Sequence, residues 1–507
     1  MDRPYYVTTP IYYISGNPHV GHAYTTVVAD VLARTARTFR PTFFLTGTDE
    51  HGQKVANAAA AAGKSPQEWC DELVPRWKEL FAAYHVEYDD FIRTTQARHV
   101  EKVQRVFERL RAGGDVYRGK YEGWYCVSDE TFWLESKLID GRCPTCGREV
   151  QWISEEDWFF RLSAYRDRLI EHFERHPQWV QPQSVYNEMM AILREGLEDL
   201  SVSRASFDWG VPIPEGGVIY VWLDALLNYI TAIGWSDDEA RFHRYWPAQT
   251  QLVGKEIARF HTIIWPAILW ALGERAPELV FAHGWITVDG QKMGKSAGNA
   301  ADPFALAERF GADAMRYFLL REAPFGSDFS YSEEKIAQRR NSDLANDLGN
   351  LAQRTLSMLA RYRDGVVPQR GSGASELGRR FEPLPVTVRA RLLDLRFREA
   401  LESVWELVTA LNRGIDERKP WELNKRGADE ELDAVLYDLC EGLRWLATLL
   451  HPVMPERMAE MWRQLGAPGR IDEDWSTSLR AWGGLAPGTE TAPATPLFPK
   501  IDLAAES

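Results

Sequence analysis

Two stretches of the chain have residue types that could act together on a triphosphate: His19-Val20-Gly21-His22 and Lys292-Met293-Gly294-Lys295-Ser296. The first follows a strand-like run, Tyr5 to Ile14, and a turn at Ser15-Gly16-Asn17-Pro18, and it opens a helix-like stretch to about Arg40. A helix N-terminus presents unpaired N–H groups and the positive end of the backbone dipole, a natural seat for phosphate. Gly21 leaves room for a flat base against the backbone. The imidazoles of His19 and His22 can donate hydrogen bonds to phosphate oxygens as charge builds in a transition state. The second stretch puts Lys292 and Lys295 on a loop between Gly290 and Gly298. Two ammonium groups there can close over a triphosphate and stabilise departing pyrophosphate. Alone, the first is also what a helix start with two histidines looks like, and the second a solvated basic loop. Their pairing, at the first crossover and after the last strand, points to ATP chemistry.

A third cluster is metallic in character. Cys126-x-x-Asp129 and Cys143-x-x-Cys146, with 13 residues between Asp129 and Cys143, form two knuckle-like halves. Such spacing lets two ligands from one turn face a tetrahedral Zn²⁺, and a carboxylate can replace one thiolate, so a structural Cys₃Asp site is expected ahead of an empty or three-ligand one. The remaining cysteines, Cys70 and Cys440, sit in helical patterns as ordinary buried thiols.

These groups must be held by a fold with two to four cores, since 507 residues exceed what one core supports. Tyr5–Ile14, the helix after it and the strand-like Phe43-Phe44-Leu45-Thr46-Gly47 follow the order that begins a nucleotide-binding parallel sheet. Strand patterning returns at Gly217–Trp222, Gln251–Gly254 and Leu279–Gly284. Between them, residues 116–204 lack a βαβ rhythm and read as an insertion. From about Asp328 to Leu465 the pattern is almost wholly helical, with a loop at 370–375, and 483–507 is a Pro/Thr/Ala-rich tail without regular structure. The expected fold is therefore α/β. A Rossmann-type catalytic domain (1–115 and 205–290) is split by a knuckle insertion (116–204). A loop and stem region (291–345), a helix bundle (346–482) and the tail (483–507) follow.

Composition excludes some classes. No run of 18 apolar residues exists to cross a membrane, and the N-terminus lacks the zones of a secretory signal. Five cysteines make no disulfide framework, so a reducing, cytoplasmic setting is expected. The net charge of −14 leaves a nucleic-acid partner open, because phosphate affinity depends on local Lys and Arg placement.

The His19–His22 and Lys292–Ser296 blocks resemble the HIGH and KMSKS signatures of class I aminoacyl-tRNA synthetases. Along nearly its whole length the chain is similar to the methionyl-tRNA synthetase family. The blocks that carry this are Thr9–Tyr13, Gly47-Thr48-Asp49-Glu50-His51-Gly52, Tyr220–Ala225, Gly254-Lys255-Glu256-Ile257, Phe260-His261 and His283-Gly284-Trp285. Gly294 replaces the central Ser of KMSKS and leaves both lysines in place.

The resemblance implies a two-step ligase. ATP with Mg²⁺ activates methionine to methionyl-adenylate and pyrophosphate, and the methionyl group then passes to the 3′ end of tRNA(Met). It implies a methionine pocket of Ile11, Tyr13, Trp222, Ala225, Tyr229, Ile257, Phe260 and His261, with Asp49 holding the α-ammonium. An aromatic pocket with one weak polar contact suits a linear, polarizable thioether. It places Gly254, Lys255 and Glu256 near ribose and phosphates, with Ser296 also at the nucleotide. It assigns Asn350, Arg354 and Trp421 to the anticodon, with Trp421 as a stacking platform for a splayed base. Read without the family, Asn350 and Arg354 are an i, i+4 pair on a solvated helix and Trp421 a core residue. Family knuckles commonly carry Cys or His at all four places, so Asp129 is a departure. The chain ends without the OB-fold extension of dimeric relatives, so a monomer is expected.

Other readings remain. Synthetases for isoleucine, valine and leucine need a larger editing insertion, and one for cysteine would place its cysteines in the pocket blocks. A non-catalytic tRNA-binding paralogue would have lost His19, His22, Lys292 or Lys295, and a generic nucleotidyltransferase would not need the helical tail.

Overall fold

The computed structural model describes residues 3–129, 131–133, 135–205, 207–288, 291–292, 301–371 and 375–502. Chain contacts divide it into two units. One comprises Met1–Pro18, Phe43–Leu80 and Tyr88–His283, the other His19–Thr42, Phe81–Glu87 and Gly284–Ser507.

The first unit is built on a seven-stranded sheet. Its strands run in the order Tyr12–Tyr13, Thr42–Asp49, Tyr5–Thr8, Thr250–Gly254, Val280–His283 and Val180–Gln181, with Asp90–Arg93 also pairing with Thr42–Asp49. The pairings are parallel, among them Leu45–Asp90, Val7–Thr250, Gln251–Val280 and Val280–Val180. Strands Tyr5–Thr8, Thr250–Gly254 and Val280–His283 are buried throughout, as β-branched, apolar strands of a sheet covered on both faces must be. Gly47 sits where a Cβ would come within 1.9 Å of the Ile92 carbonyl oxygen, so only glycine admits this strand pairing.

The expected insertion contains a four-stranded antiparallel sheet, ordered Thr131–Trp133, Val116–Cys126, Gln151–Phe160 and Leu200–Ser201. It also holds helices Arg166–Arg175 and Gln183–Glu195. Between these helices, Val180–Gln181 forms the edge of the parallel sheet rather than part of the insertion's own sheet.

One sequence expectation is corrected. Gly217–Trp222 is not a strand of the main sheet. Only Val218–Ile219 is extended, paired antiparallel with Ser203–Arg204, and Val221–Leu226 is helical. Every residue of that helix except Trp222 is buried, and a short helix buried at all but one position carries no periodicity that separates it from a buried strand.

The second unit contains the helix Val20–Arg37, a three-stranded sheet of Ile286–Val288, Gln291–Lys292 and Phe329–Ser330, and a run of helices from Glu333 to Leu465. Its internal anchor is a buried ion pair. Arg316, with no exposure, donates to Asp30 Oδ2 at 2.6 Å and, each at 2.8 Å, to the carbonyls of Tyr84, Pro452 and Val453. Burial pushes the Asp30 carboxyl up, but Arg316 and Arg34 outweigh it and hold it below the usual range. The tail has no regular elements from 483 to 502, yet it is fixed. The buried Glu441 carboxylate accepts from the N–H groups of Gly483, Gly484 and Leu485 at 2.9–3.0 Å.

Candidate functional site

In the second unit, His19 is the N-cap of the helix Val20–Arg37. Its Nδ1 accepts the Gly21 N–H at 3.1 Å, and His22 Nδ1 accepts the His19 N–H at 3.0 Å. A ring nitrogen that accepts a backbone N–H carries no proton, so both neutral imidazoles hold theirs on Nε2. The rings stack with centroids 3.7 Å apart and an interplanar angle of 29°. A Cβ at position 21 would meet His19 Cε1 at 2.9 Å, so Gly21 is what lets the His19 ring fold back over the helix start. The pattern H-x-G-H is thus a self-capping helix N-terminus that fixes two Nε2–H donors.

Lys292 lies on the strand Gln291–Lys292, paired antiparallel with Ile286–Val288. Lys295 and Ser296 lie outside the described residues.

In the first unit, the predicted pocket residues sit on several separate elements. Tyr13 is the parallel register partner of Asp49, the last residue of its strand, and Ile11 lies just before Tyr12–Tyr13. Trp222 and Ala225 are on the helix Val221–Leu226, Tyr229 is on Asn228–Thr231, and Phe260 and His261 open the π-helical turn Phe260–Ile264. Wide turns of this kind mark functional sites in many proteins. Trp222 and Phe260 lie face to face, 3.7 Å between centroids and 6° apart in tilt. His261 stands edge-on to Trp222 at 6.3 Å. Tyr229 Oη lies 2.8 Å from His261 Nε2, and His261 Nδ1 lies 3.0 Å from the Ile257 carbonyl. Burial lowers the His261 imidazole to about 4, against the opposing hydrogen bond to Ile257. The ring is therefore neutral near pH 7. It donates from Nδ1 to Ile257 and accepts the Tyr229 hydroxyl at Nε2. Trp222, Phe260, His261 and Tyr229 thus form one connected aromatic group. Ile11 and Ile257 pack against the hydrophobic core to which Tyr229 belongs.

Gly254 ends its strand, and Lys255–Ile257 is a single tight turn. A Cβ at Gly254 would meet the Glu256 carboxylate at 2.6 Å.

The four knuckle residues converge as expected. One ligand atom from each of Cys126, Asp129, Cys143 and Cys146 lies within 4.8 Å of all the others. Cys126 Sγ is 3.5 Å from Cys146 Sγ and 3.7 Å from Asp129 Oδ2, and Cys143 Sγ is 3.0 Å from the same oxygen. Zinc–sulfur bonds of about 2.3 Å put two sulfurs of a tetrahedron about 3.8 Å apart, so the donor set fits that ion with little movement. Burial pushes the Cys126 thiol up, and a dication among these groups would reverse that.

Asn350 begins the helix Asn350–Arg363, and Arg354 Nη2 donates to Asp416 Oδ1 on the helix Phe397–Arg418 at 2.8 Å. Trp421 is half-buried at the second position of the helix Pro420–Lys425. Lys419, just before that helix, is left-handed at φ 48°.

The sequence reading missed the supports behind the pocket. Asp224, fully buried, lies 2.7 Å from His51 Nδ1 and 2.8 Å from His99 Nε2. Glu50, also fully buried, takes a bidentate pair from Arg93 at 2.7 and 2.9 Å and a hydroxyl from Thr95 at 2.6 Å. A lone Asp in the apolar run Tyr220–Leu227 was the available signal, since a buried carboxylate must have partners.

Similarity to known proteins agrees with this arrangement. The family described as tRNA synthetases class I (M) matches residues 5–153 and 149–356. The methionine–tRNA ligase of Caldanaerobacter subterraneus subsp. tengcongensis is 50% identical over 519 residues, covering 100% of this chain and 80% of that protein. That of Thermotoga maritima is 46% identical over 508 residues, covering 98% and 80%. A structure of Mycobacterium tuberculosis methionyl-tRNA synthetase in complex with methionyl-adenylate superposes with a TM-score of 0.94 at 43% identity, covering 98% of this chain and 100% of that one. A free-state structure of the same enzyme gives 0.87 at 39% identity, covering 99% of each chain. Matched over 98–100% of its length by these proteins, the chain belongs to the methionine–tRNA ligase family of class I tRNA synthetases.

Proposed function

We propose that the chain joins L-methionine to the 3′ end of its tRNA in two steps, with the following residues in distinct roles. The observation that supports this most is the end-to-end match to a solved relative that carries methionyl-adenylate. The connected Trp222, Phe260, His261 and Tyr229 group is the chemistry a thioether pocket needs.

In the first step a methionine carboxylate oxygen bonds to the α-phosphorus of ATP, the bond from that phosphorus to the bridging oxygen breaks, and pyrophosphate leaves with the electron pair. The carboxylate is already an anionic nucleophile, so the protein needs no general base. It supplies positioning and charge stabilisation. His19 and His22 donate through Nε2–H to phosphate oxygens, and Lys255, Lys292 and Lys295 offset the charge on the triphosphate. Gly21, Gly254, Glu256 and Ser296 hold the nucleotide, whose Mg²⁺ is held mostly by phosphates and water. Asp49 fixes the methionine ammonium, and Ile11, Tyr13, Trp222, Ala225, Tyr229, Ile257, Phe260 and His261 enclose its side chain. In the second step a terminal ribose hydroxyl of tRNA attacks the adenylate carbonyl and AMP departs.

Cys126, Asp129, Cys143 and Cys146 hold a structural Zn²⁺ that stiffens the insertion. Asn350, Arg354 and Trp421 read the anticodon, with a base stacked on Trp421. None of the five cysteines is in a disulfide, which suits the reducing cytoplasm.

The test compares wild type with Trp421→Ala in two assays, ATP–pyrophosphate exchange and methionylation of a tRNA(Met) transcript. The variant should exchange at the wild-type rate and charge tRNA at least about tenfold less efficiently, the cost of one lost stacking platform. Equal loss in both assays would remove Trp421 from tRNA recognition, and absence of charging by wild type would overturn the ligase reading.

A further inference from the structure

Asp224 stands in the helix Val221–Leu226, two residues after Trp222 and one before Ala225. Its two oxygens face two imidazoles on separate elements, His51 Nδ1 at 2.7 Å and His99 Nε2 at 2.8 Å, and all three side chains are buried. An ionised carboxylate only accepts, so each of those nitrogens carries a proton and donates. Burial pushes the Asp224 carboxyl up, but the two imidazoles outweigh it and keep it charged.

His51 follows Asp49 by two residues at the end of the strand Thr42–Asp49, and the backbone on both sides of it is pinned. The Trp209 indole N–H donates to the Glu50 carbonyl at 2.6 Å, and the Gly52 N–H donates to the Trp209 carbonyl at 3.1 Å. The Trp209 ring packs edge-on to His51 at 5.3 Å. The Glu50 side chain is locked by Arg93. His99 Nδ1 lies 2.8 Å from Thr231 Oγ1, on the helix that carries Tyr229. The Asp224 carboxylate therefore joins the strand end that bears Asp49 to the two short helices that bear Trp222 and Tyr229.

We propose that Asp224 is a positioning residue for amino-acid length. Through His51 it fixes the distance between the carboxylate that takes the ammonium and the Trp222 and Ala225 wall that meets the thioether. The proposal rests on the pocket assignment made above. An apolar pocket distinguishes one methylene by about 10- to 200-fold. It does so only if its two ends do not move apart, because a wall that yields accepts the longer side chain.

The experiment measures ATP–pyrophosphate exchange by the full chain with L-methionine and with L-ethionine, one methylene longer. Asp224→Asn and His51→Leu should each lower the methionine-to-ethionine ratio of kcat/KM by about tenfold. His51→Asn, whose amide N–H reaches the place of Nδ1, should restore much of it. Loss of folded protein alone would reduce both substrates alike and leave the ratio where it was. If Asp224→Asn does not fold, the two His51 variants decide. An unchanged ratio in His51→Leu, with Trp222→Ala still raising the methionine KM, overturns the proposal while the pocket assignment stands. If Trp222→Ala and Asp49→Asn both leave the methionine KM unchanged, the pocket assignment itself falls and takes the proposal with it.

Discussion

His22 Nδ1 accepts the N–H of His19 at 3.0 Å while the two rings lie stacked, 3.7 Å apart. The histidines therefore build the helix start that they occupy, and the bonds that do so commit their protons to Nε2. The cap uses the Nδ1 side of each ring, and the proposed phosphate contacts use the other.

That division can be separated by substitution. In His22→Asn the amide oxygen reproduces the Nδ1 acceptor but no donor remains at Nε2, whereas the Gln amide reaches the Nε2 position. His22→Asn should therefore melt near wild type yet lose about 10²–10³-fold in exchange kcat, the cost of one transition-state donor. His22→Gln should lose less rate. Equal rates for the two variants would show that the Nε2–H does not act on the transition state.

The face-to-face packing of Trp222 on Phe260 predicts an effect confined to binding. Phe260→Ala removes the stacked partner, worth about 0.5–1.5 kcal/mol beyond its buried area. The methionine KM should rise about tenfold or more in exchange with kcat nearly unchanged, the signature of binding lost equally from ground and transition states. A fall in kcat at constant KM would move Phe260 out of the pocket.

The buried His261 predicts a pH dependence. The unfolded chain takes up this proton through about pH 6.5, but the folded chain does so only near 4. The neutral ring's contribution is complete above pH 6.5 and is lost as pH falls toward 4. Denaturant titration of wild type against His261→Asn should show the wild-type advantage shrinking by about 2 kcal/mol between pH 7.5 and pH 5. A pH-independent difference would mean that the folded ring protonates as readily as a free one.

The knuckle geometry predicts one zinc per chain by elemental analysis. It also predicts that Cys143→Ser lowers the zinc content and the melting temperature, and that Asp129→Cys keeps the metal. Purified wild type without zinc, unchanged in melting temperature by added zinc, would rule out the Cys₃Asp reading.

How much of this was legible in the sequence depended on distance along the chain. The knuckle and the His19–His22 cap are local patterns, in which residues two to three apart face one another by chain geometry; the sequence showed the helix start at His19 and the grouping of the four knuckle residues, but not that the two histidines cap the helix themselves. The strands Thr42–Asp49, Thr250–Gly254 and Val280–His283 were visible because buried parallel strands are continuous apolar runs. The helix Val221–Leu226 was misread for the same reason, since burial at all but one position erased its period. The supports of the pocket stayed hidden. Asp224 meets partners 173 and 125 residues away, and Arg316 meets Asp30 across 286 residues. Pairings over such separations are set by the fold and leave only an unexplained charge in an apolar run. The tail was read as irregular, which it is over 483–502, but its attachment through Glu441 depends on backbone N–H groups that carry no sequence signal.

Formation of an adenylate from methionine and ATP is measured by ATP–pyrophosphate exchange run separately with each of the twenty amino acids, without tRNA, on wild type and Lys295→Ala. Exchange should appear with methionine alone and fall by about 10²-fold or more in the variant. Exchange driven by another amino acid, or methionine-dependent exchange indifferent to Lys295, would contradict the account.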